Sequence, residues 1–351
     1  MNTATRATVS RPIAVFVVLF FLTIGRVGEV GGQSLPASSN NALTELGQQL
    51  FQDPHLSADG TIRCASCHIP DRAYADDRQI ARGVEGRLGT RNAPSLAIIG
   101  RSDATSFFWD GRRTTLEQAV LDPFINPVEM GLRDNASLLS KLAADASYRT
   151  AFAKGFPRAA SPVTLTHVAA ALSAYVRSLD RRTSAYDLYR SQHDPAALNA
   201  QAQQGLILFS GKGKCAECHR LEGSPVTLTD HAYHRTGVGL SSVEQNLPKL
   251  TQDVIERSLQ GADIGNRVAT HADESQLGRF NVTRNPADIG LFRTPSLRGV
   301  ALTAPYMHDG SVPTLDEAID RETYYRSLQA GRPLNLTVQE KRELRAFLEA
   351  L

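Results

Sequence analysis

All four cysteines of this 351-residue chain stand in two copies of one pattern, C-x-x-C-H. The first copy is Cys64-Ala65-Ser66-Cys67-His68 and the second is Cys215-Ala216-Glu217-Cys218-His219. This is the spacing of c-type haem attachment. Two intervening residues let one helical turn carry both sulfurs to the vinyl groups of one porphyrin. The histidine that follows turns back to ligate the iron from one side. A thioredoxin-like redox pair has no need of the trailing His and no reason to occur twice. A zinc site built from all four cysteines leaves both His unexplained. Two disulfides within C-x-x-C would close very tight loops. The expectation is two covalently bound haems c.

The chain repeats itself around these sites. Gly47-Gln-Gln-Leu-Phe51 precedes the first and Gly205-Leu-Ile-Leu-Phe209 the second, both on helical stretches. An apolar-periodic run from Val168 closes on Tyr175-Val-Arg-Ser-Leu179, and another from Val338 closes on Phe347-Leu-Glu-Ala-Leu351. Apolar residues at i, i+3 and i+4 mark both as amphipathic helices. Thr337 with Glu340 three residues on is a capping-box start for the last one. Each half thus reads as a helix, a haem site, loops, and a helix packing back on the first. The fold class expected is all-α, with two cytochrome c-like domains of short helices and long loops. Their expected bounds are 42–182 and 195–351. The polar segment from about Arg181 to Pro195 reads as the linker.

Composition agrees with a globular protein. Hydrophobic residues make up 42% and charged residues 21%, so the disordered and fibrous classes are excluded. Aromatics are sparse at 7%, with a single Trp. A net charge of +2 with no basic run argues against a nucleic-acid partner. At the N-terminus, Arg6 and Arg11 precede an apolar run from Ile13 to Ile24, and small and polar residues follow. That order reads as a signal peptide over residues 1–32, although no clean A-x-A cleavage site is present. The run is short of the about 20 residues that span a bilayer, and the other reading is an uncleaved membrane tether. Either way the body is expected outside the cytoplasm, in the periplasm, with no membrane contact beyond this segment.

The stretch from Pro70 to Met130 is rich in Gly, Pro, Asn and Arg. Loops that long in a compact domain usually carry function. What two haems do depends on the sixth ligand of each iron: a carrier saturates both, whereas a peroxidase keeps one position open beside an acid–base group. Beyond the motifs the chain offers Met130, Met307 and seven His, most of them expected to be structural.

At several further segments the chain resembles the bacterial di-haem cytochrome c peroxidases, and within them the MauG-like branch. These are Leu50-Phe-Gln-Asp-Pro-His-Leu-Ser57, Gly89-Thr-Arg-Asn-Ala-Pro-Ser95, Phe108-Trp-Asp-Gly-Arg112, Asn126-Pro-Val-Glu-Met130 and Leu277-Gly-Arg-Phe280. The longest runs from Phe292-Arg-Thr-Pro-Ser-Leu-Arg298 on to Ala304-Pro-Tyr-Met-His-Asp-Gly-Ser311.

The resemblance implies roles. The haem on His68 would be the peroxide site and the haem on His219 the electron-transfer site. Glu129 would be the distal acid that moves a proton between the peroxide oxygens. Gln118 would orient peroxide, and Trp109 would relay electrons between the haems. Asn92, Thr303 and Pro305 would hold a calcium ion between the haems, the last two through backbone carbonyls. Hydrogen peroxide would be the substrate, and a small cytochrome c or cupredoxin the electron donor. Two rivals are a MauG-like enzyme oxidising a protein or peptide substrate and a non-catalytic electron-transfer cytochrome.

Two departures from the family pattern matter. Many members carry a loop His that caps the N-terminal iron. Here that position is Val84, and no His lies between His68 and His167. An uncapped, high-spin iron is therefore expected. Many members also ligate the second haem with a Met on the helix after H-D-G, where ungapped placement gives Glu322. The MauG-like branch uses Tyr, and Tyr324 and Tyr325 stand close by. The expected ligand is Tyr324 or Tyr325, with Glu322 behind them. The other reading packs both tyrosines and ligates through Met307 or a His.

Overall fold

The structure is a computed structural model that describes Met1 and residues 37–101, 103–179, 183–191 and 194–351. The expected signal peptide lies outside the described residues, as does His193. Everything below concerns the unit Pro36–Leu351.

The helices in chain order are α1 (Ala37–Gln52), α2 (Leu116–Ala119), α3 (Asp122–Ile125), α4 (Asn135–Ala144), α5 (Ala146–Gly155), α6 (Leu165–Ser178) and α7 (Ala185–Ser191). They continue with α8 (Ala200–Ser210), α9 (Leu247–Leu259), α10 (Ile264–Thr270), α11 (Ala272–Ser275), α12 (Phe280–Thr283), α13 (Leu315–Gln329) and α14 (Val338–Glu349). The expectation of an all-α fold holds, with one addition. β1 (Tyr233–Arg235) pairs antiparallel with β2 (Leu291–Arg293), His234 facing Phe292 in register. Between Cys64 and Leu116 the described residues form only single 3-10 turns and isolated β-bridges, so the Gly/Pro/Arg-rich stretch is loop, as its composition predicted.

Local chemistry sets the helix starts. The Thr164 side chain accepts from His167 N at the start of α6, and Asn199 accepts from Ala202 N at the start of α8. Thr337 and Glu340 form the predicted capping box of α14. Thr314 caps α13, whose first turn carries Asp316 and Glu317 toward the positive end of the helix dipole.

The two halves pack by the same device. A Cβ on Gly47 would lie 2.0 Å from the Ala171 carbonyl oxygen and 2.7 Å from Tyr175 Cβ. A Cβ on Gly205 would lie 2.0 Å from the Glu343 carbonyl oxygen and 2.7 Å from Phe347 Cβ. Each glycine lets its helix touch the backbone of the returning one. One turn later Phe51 meets Tyr175, and Phe209 meets Phe347, both at 5.2 Å between ring centroids. One hydrophobic cluster runs from Leu46 to Leu179, a second draws on residues from Tyr186 to Leu351, and a small third one joins Val254, Leu277 and Phe280.

The expected linker needs correction. Residues 185–191 are α7, and Tyr186 on it is buried edge-on against Phe347 at 5.4 Å. Arg298 grips Asp187 of the same helix, Nη2 to Oδ1 at 2.6 Å. The polar surface of this segment concealed one buried aromatic, which fastens it to the second cluster.

Candidate functional site

Each C-x-x-C-H forms the same short turn. His68 N and Cys67 N both donate to the Cys64 carbonyl, at 3.0 and 3.2 Å. His219 N and Cys218 N both donate to the Cys215 carbonyl, at 2.9 and 3.3 Å. The turn aligns both sulfurs and the imidazole. His68 Nδ1 pairs with the Tyr74 carbonyl at 2.9 Å, and His219 Nδ1 with the Leu228 carbonyl at 3.0 Å. Nδ1 is therefore the protonated nitrogen on each ring, and Nε2 is the one available to a metal. Burial lowers the pKa of both imidazoles, that of His219 to about 4, so both are neutral and ready to ligate.

The four thiols form no disulfide. Burial pushes Cys64, Cys67 and Cys215 up to about 12 as free thiols, the opposite of a reactive or zinc-binding thiolate. The two pairs also border different cavities, which removes the single four-cysteine zinc site.

Cys64, Cys67 and His68 border one cavity, of about 210 Å³. Cys215, Cys218 and His219 border the other, of about 220 Å³. Both have predominantly apolar walls. Each also holds a buried guanidinium nitrogen without a hydrogen-bond partner: Arg112 Nε on the first and Arg326 Nε on the second. Apolar slots with a ligating His, two sulfurs and an unsatisfied guanidinium N–H on the wall fit a flat, anionic-edged porphyrin.

Around the His68 cavity the structure brings together most of the expected residues. Glu129 borders it. Asn126 Nδ2 donates to Glu129 Oε1 at 2.7 Å. Burial raises the Glu129 pKa, Arg112 opposes the rise, and Asp122 adds to it. Among the described residues, His68 is the only histidine on this cavity, and Met130 beside it is packed into the first hydrophobic cluster. Val84 is buried and turned toward Gly131, away from the cavity. Its loop is tied down, because Val84 N donates to the Glu129 carbonyl at 2.9 Å. Gln118 is a correction. It is exposed, and its Oε1 accepts from Thr114 N and Oγ1 at the start of α2, off the cavity wall. Helix capping claims the amide that was expected to orient peroxide. Among the polar side chains on the wall is Arg112, its guanidinium 3.6 Å above the Phe108 ring and bonded to Asp110.

Trp109 borders both cavities, and Nε1 donates to the Asn92 carbonyl at 2.9 Å. Asn92 also borders both, with its Nδ2 bound to the Arg78 carbonyl. Thr303 and Pro305 border the His219 cavity, and the Thr303 hydroxyl is spent on the Val300 carbonyl, leaving its backbone oxygen as the donor. This set of neutral oxygens suits a hard cation such as calcium, but it has no carboxylate.

At the second cavity the structure does not bring the expected tyrosines to the wall. Tyr324 is 59% exposed and Tyr325 is half-buried, and both border an outer surface groove rather than the cavity. Glu322 does border the cavity. Burial raises its pKa, with Arg326 and His234 opposing. Arg326 Nε lies 3.7 Å from Glu322 Oε2, and Arg326 Nη1 lies 3.5 Å from Cys218 Sγ. The helical period carries the signal that could have shown this: residues 322 and 326 share a face, and residue 324 lies on the opposite one. His234, held by Asp230 at 2.7 Å, and Met307 also border the cavity. So does His308, stacked on Phe292 at 3.6 Å and held by Gln276. His55, His167 and His271 make local contacts elsewhere.

A family profile described as di-haem cytochrome c peroxidase matches residues 41–195, and one described as RoxA-like, cytochrome c-like matches residues 291–326. A cytochrome-c peroxidase of Denitromonas iodatirespirans is 34% identical over 330 residues, covering 90% of this chain and 84% of that protein. The methylamine utilization protein MauG of Paracoccus denitrificans is 32% identical over 329 residues, covering 86% and 78%. The crystal structure of a MauG-like protein associated with microbial copper homeostasis superposes with a TM-score of 0.70 at 32% identity, covering 91% of this chain and 95% of the other.

Proposed function

Because the chain belongs to the di-haem cytochrome c peroxidase family, an oxidoreductase family whose members carry two haems, we propose that it reduces hydrogen peroxide to water. The observation that carries this reading is Glu129, a half-buried carboxyl on the wall of the cavity that His68 enters. When attached, the haems supply the iron redox chemistry that takes up the two oxidising equivalents of peroxide.

The chain's own residues do the rest. Cys64, Cys67 and His68 hold one haem, and Cys215, Cys218 and His219 the other. Asn126 engages Glu129 Oε1, so we assign proton transfer to Oε2. It takes a proton from one peroxide oxygen and returns it to the other, which then leaves as water. Arg112 lowers the cost of ionising Glu129 in a buried site. Trp109, on the wall of both cavities, is the residue we assign to electron passage between them. We assign Glu322 as the side chain facing the second iron. A carboxylate there sets a lower potential than the Met found in many relatives. Asn92, Thr303 and Pro305 are the residues we assign to calcium; as neutral donors they would hold it weakly.

The donor in this reading is a small cytochrome c or cupredoxin, and the order of residues in the N-terminal segment supports a periplasmic location. The relatives include both peroxidases and MauG proteins, so oxidation of a protein or peptide is the second reading. Among the described residues no helix is long and apolar enough to cross a membrane. Steady-state peroxide turnover with reduced cytochrome c tests the proposal. Sustained turnover supports a peroxidase, single-turnover behaviour favours the protein-modifying reading, and no reaction with peroxide leaves only a carrier.

A further inference from the structure

Tyr324 and Tyr325 are absent from the cavity they were expected to enter, and their actual place suggests a different task. All nine tyrosines are among the described residues, and Tyr324 is the exposed one. The single tryptophan, Trp109, lies inside between the cavities. Tyr324 is thus the only redox-active aromatic, Trp or Tyr, that the chain presents openly to solvent.

It does not stand alone. Tyr324 and Tyr325 meet edge to face, 5.2 Å between centroids at 74°. Tyr325 presses inward on Gly237. A Cβ there would lie 2.4–2.6 Å from the Tyr325 ring, and Gly237 has a φ of +68°, so the loop reserves this space for the ring. The preceding residue, Thr236, borders the His219 cavity, as do Glu322, Thr323 and Arg326 on the same helix as the tyrosines. The cavity lies on one side of α13 and the groove on the other. The wall between them is one helix thick, about 10–12 Å with side chains.

We propose that Tyr325 and Tyr324 form a relay through which electrons enter the second haem site from the surface groove. This rests on the peroxidase reading above. The oxidant is the haem pair after it has taken two equivalents from hydrogen peroxide. One electron passes inward through Tyr325, and the Tyr324 phenol releases its proton to water in the groove, leaving a neutral phenoxyl radical. An external one-electron donor returns the electron, and water returns the proton. Two such cycles complete the reduction of one peroxide.

The test uses the intact di-haem protein with hydrogen peroxide and a nitroso spin trap, without an electron donor. Adducts are mapped by peptide mass spectrometry, and the Soret band is followed in the same sample. The relay predicts an adduct on Tyr324 in the unaltered protein. Tyr325→Phe should lower that adduct at least about tenfold, and Tyr324→Phe should move the label to Tyr325. Both substitutions keep the ring and alter only the hydroxyl, and haem content together with the resting spectrum confirms the fold of each variant. A Soret change with no adduct on either tyrosine overturns the relay alone. Undiminished labelling of Tyr324 in Tyr325→Phe also overturns it, because a diffusing oxidant would then be responsible. A Soret band that does not respond to peroxide overturns the relay and the peroxidase reading together.

Discussion

Asn126 donates its side-chain amide to Glu129 Oε1 at 2.7 Å, inside one Asn-Pro-Val-Glu turn on the wall of the His68 cavity. The same turn receives Val84 N on the Glu129 carbonyl, so a neighbouring loop fixes the backbone of the acid. A glutamate held by both its side chain and its backbone can move a proton without moving itself.

Glu129→Gln should cut peroxide turnover by about 10²–10⁴ while both haems stay attached. The pH dependence follows from burial. Burial raises the Glu129 pKa, and the group must lose its proton before it can act as a base. Turnover should therefore fall as pH drops through this raised value, at a higher pH than an exposed glutamate would give. Asn126→Ala removes a hydrogen bond that lowers the pKa, and should move this acid limb further up. Rate–pH profiles of the three proteins check this, and an acid limb that persists unchanged in Glu129→Gln would assign it to another group.

Asp110 is fully buried between Arg91 and Arg112, at 2.9 and 3.1 Å. Burial alone would raise its pKa, but Arg112 and then Arg91 outweigh it and hold the carboxyl at about 2. A depressed carboxyl stabilises the fold above its unfolded pKa of about 3.9 and loses that contribution as pH falls through the folded value. Asp110→Asn deprives two largely buried guanidiniums of their shared carboxylate and should destabilise by about 3–5 kcal/mol at neutral pH. Denaturant unfolding at pH 7 and near pH 2 should show the gap between variant and parent narrowing in acid.

Glu322→Met should raise the potential of the second haem, because a thioether replaces a carboxylate. Glu322→Gln should change its low-spin spectrum. Tyr324→Phe and Tyr325→Phe should leave that spectrum as it is, since neither ring borders the cavity. Redox titration with near-infrared spectroscopy of the ferric state measures all four. A spectral change in Tyr325→Phe alone would return the ligand to tyrosine.

Gly47→Ala and Gly205→Ala should destabilise by similar amounts, because each added Cβ meets a carbonyl oxygen at 2.0 Å. Overpacking of this kind costs about 1–3 kcal/mol and more where backbone must shift. Urea unfolding of each variant, followed by circular dichroism, gives the comparison.

Much of this was legible in the chain. Cysteine spacing showed the two attachment turns, the Thr337–Glu340 pair showed the start of α14, and the G-x-x-x-F repeat showed which helices touch. Composition separated the loop stretch before α2 from the helices. What stayed hidden depended on side-chain direction. Gln118 shares its short helix with buried Leu116 and Ala119, and only the contact with Thr114 shows that its amide folds back to the helix start. Two tyrosines drew attention by residue type, although Glu322 and Arg326 share the cavity face and Tyr324 stands opposite. The segment at α7 looked like a polar linker because a single buried ring, Tyr186, anchors it.

The electron paramagnetic resonance spectrum of the resting ferric protein bears most directly on the whole account. One axial high-spin signal from the His68 haem beside one low-spin signal from the His219 haem is predicted, with the high-spin signal lost when peroxide is added. Two low-spin signals, both indifferent to peroxide, would mean that a side chain already fills the place beside Glu129, and would contradict it.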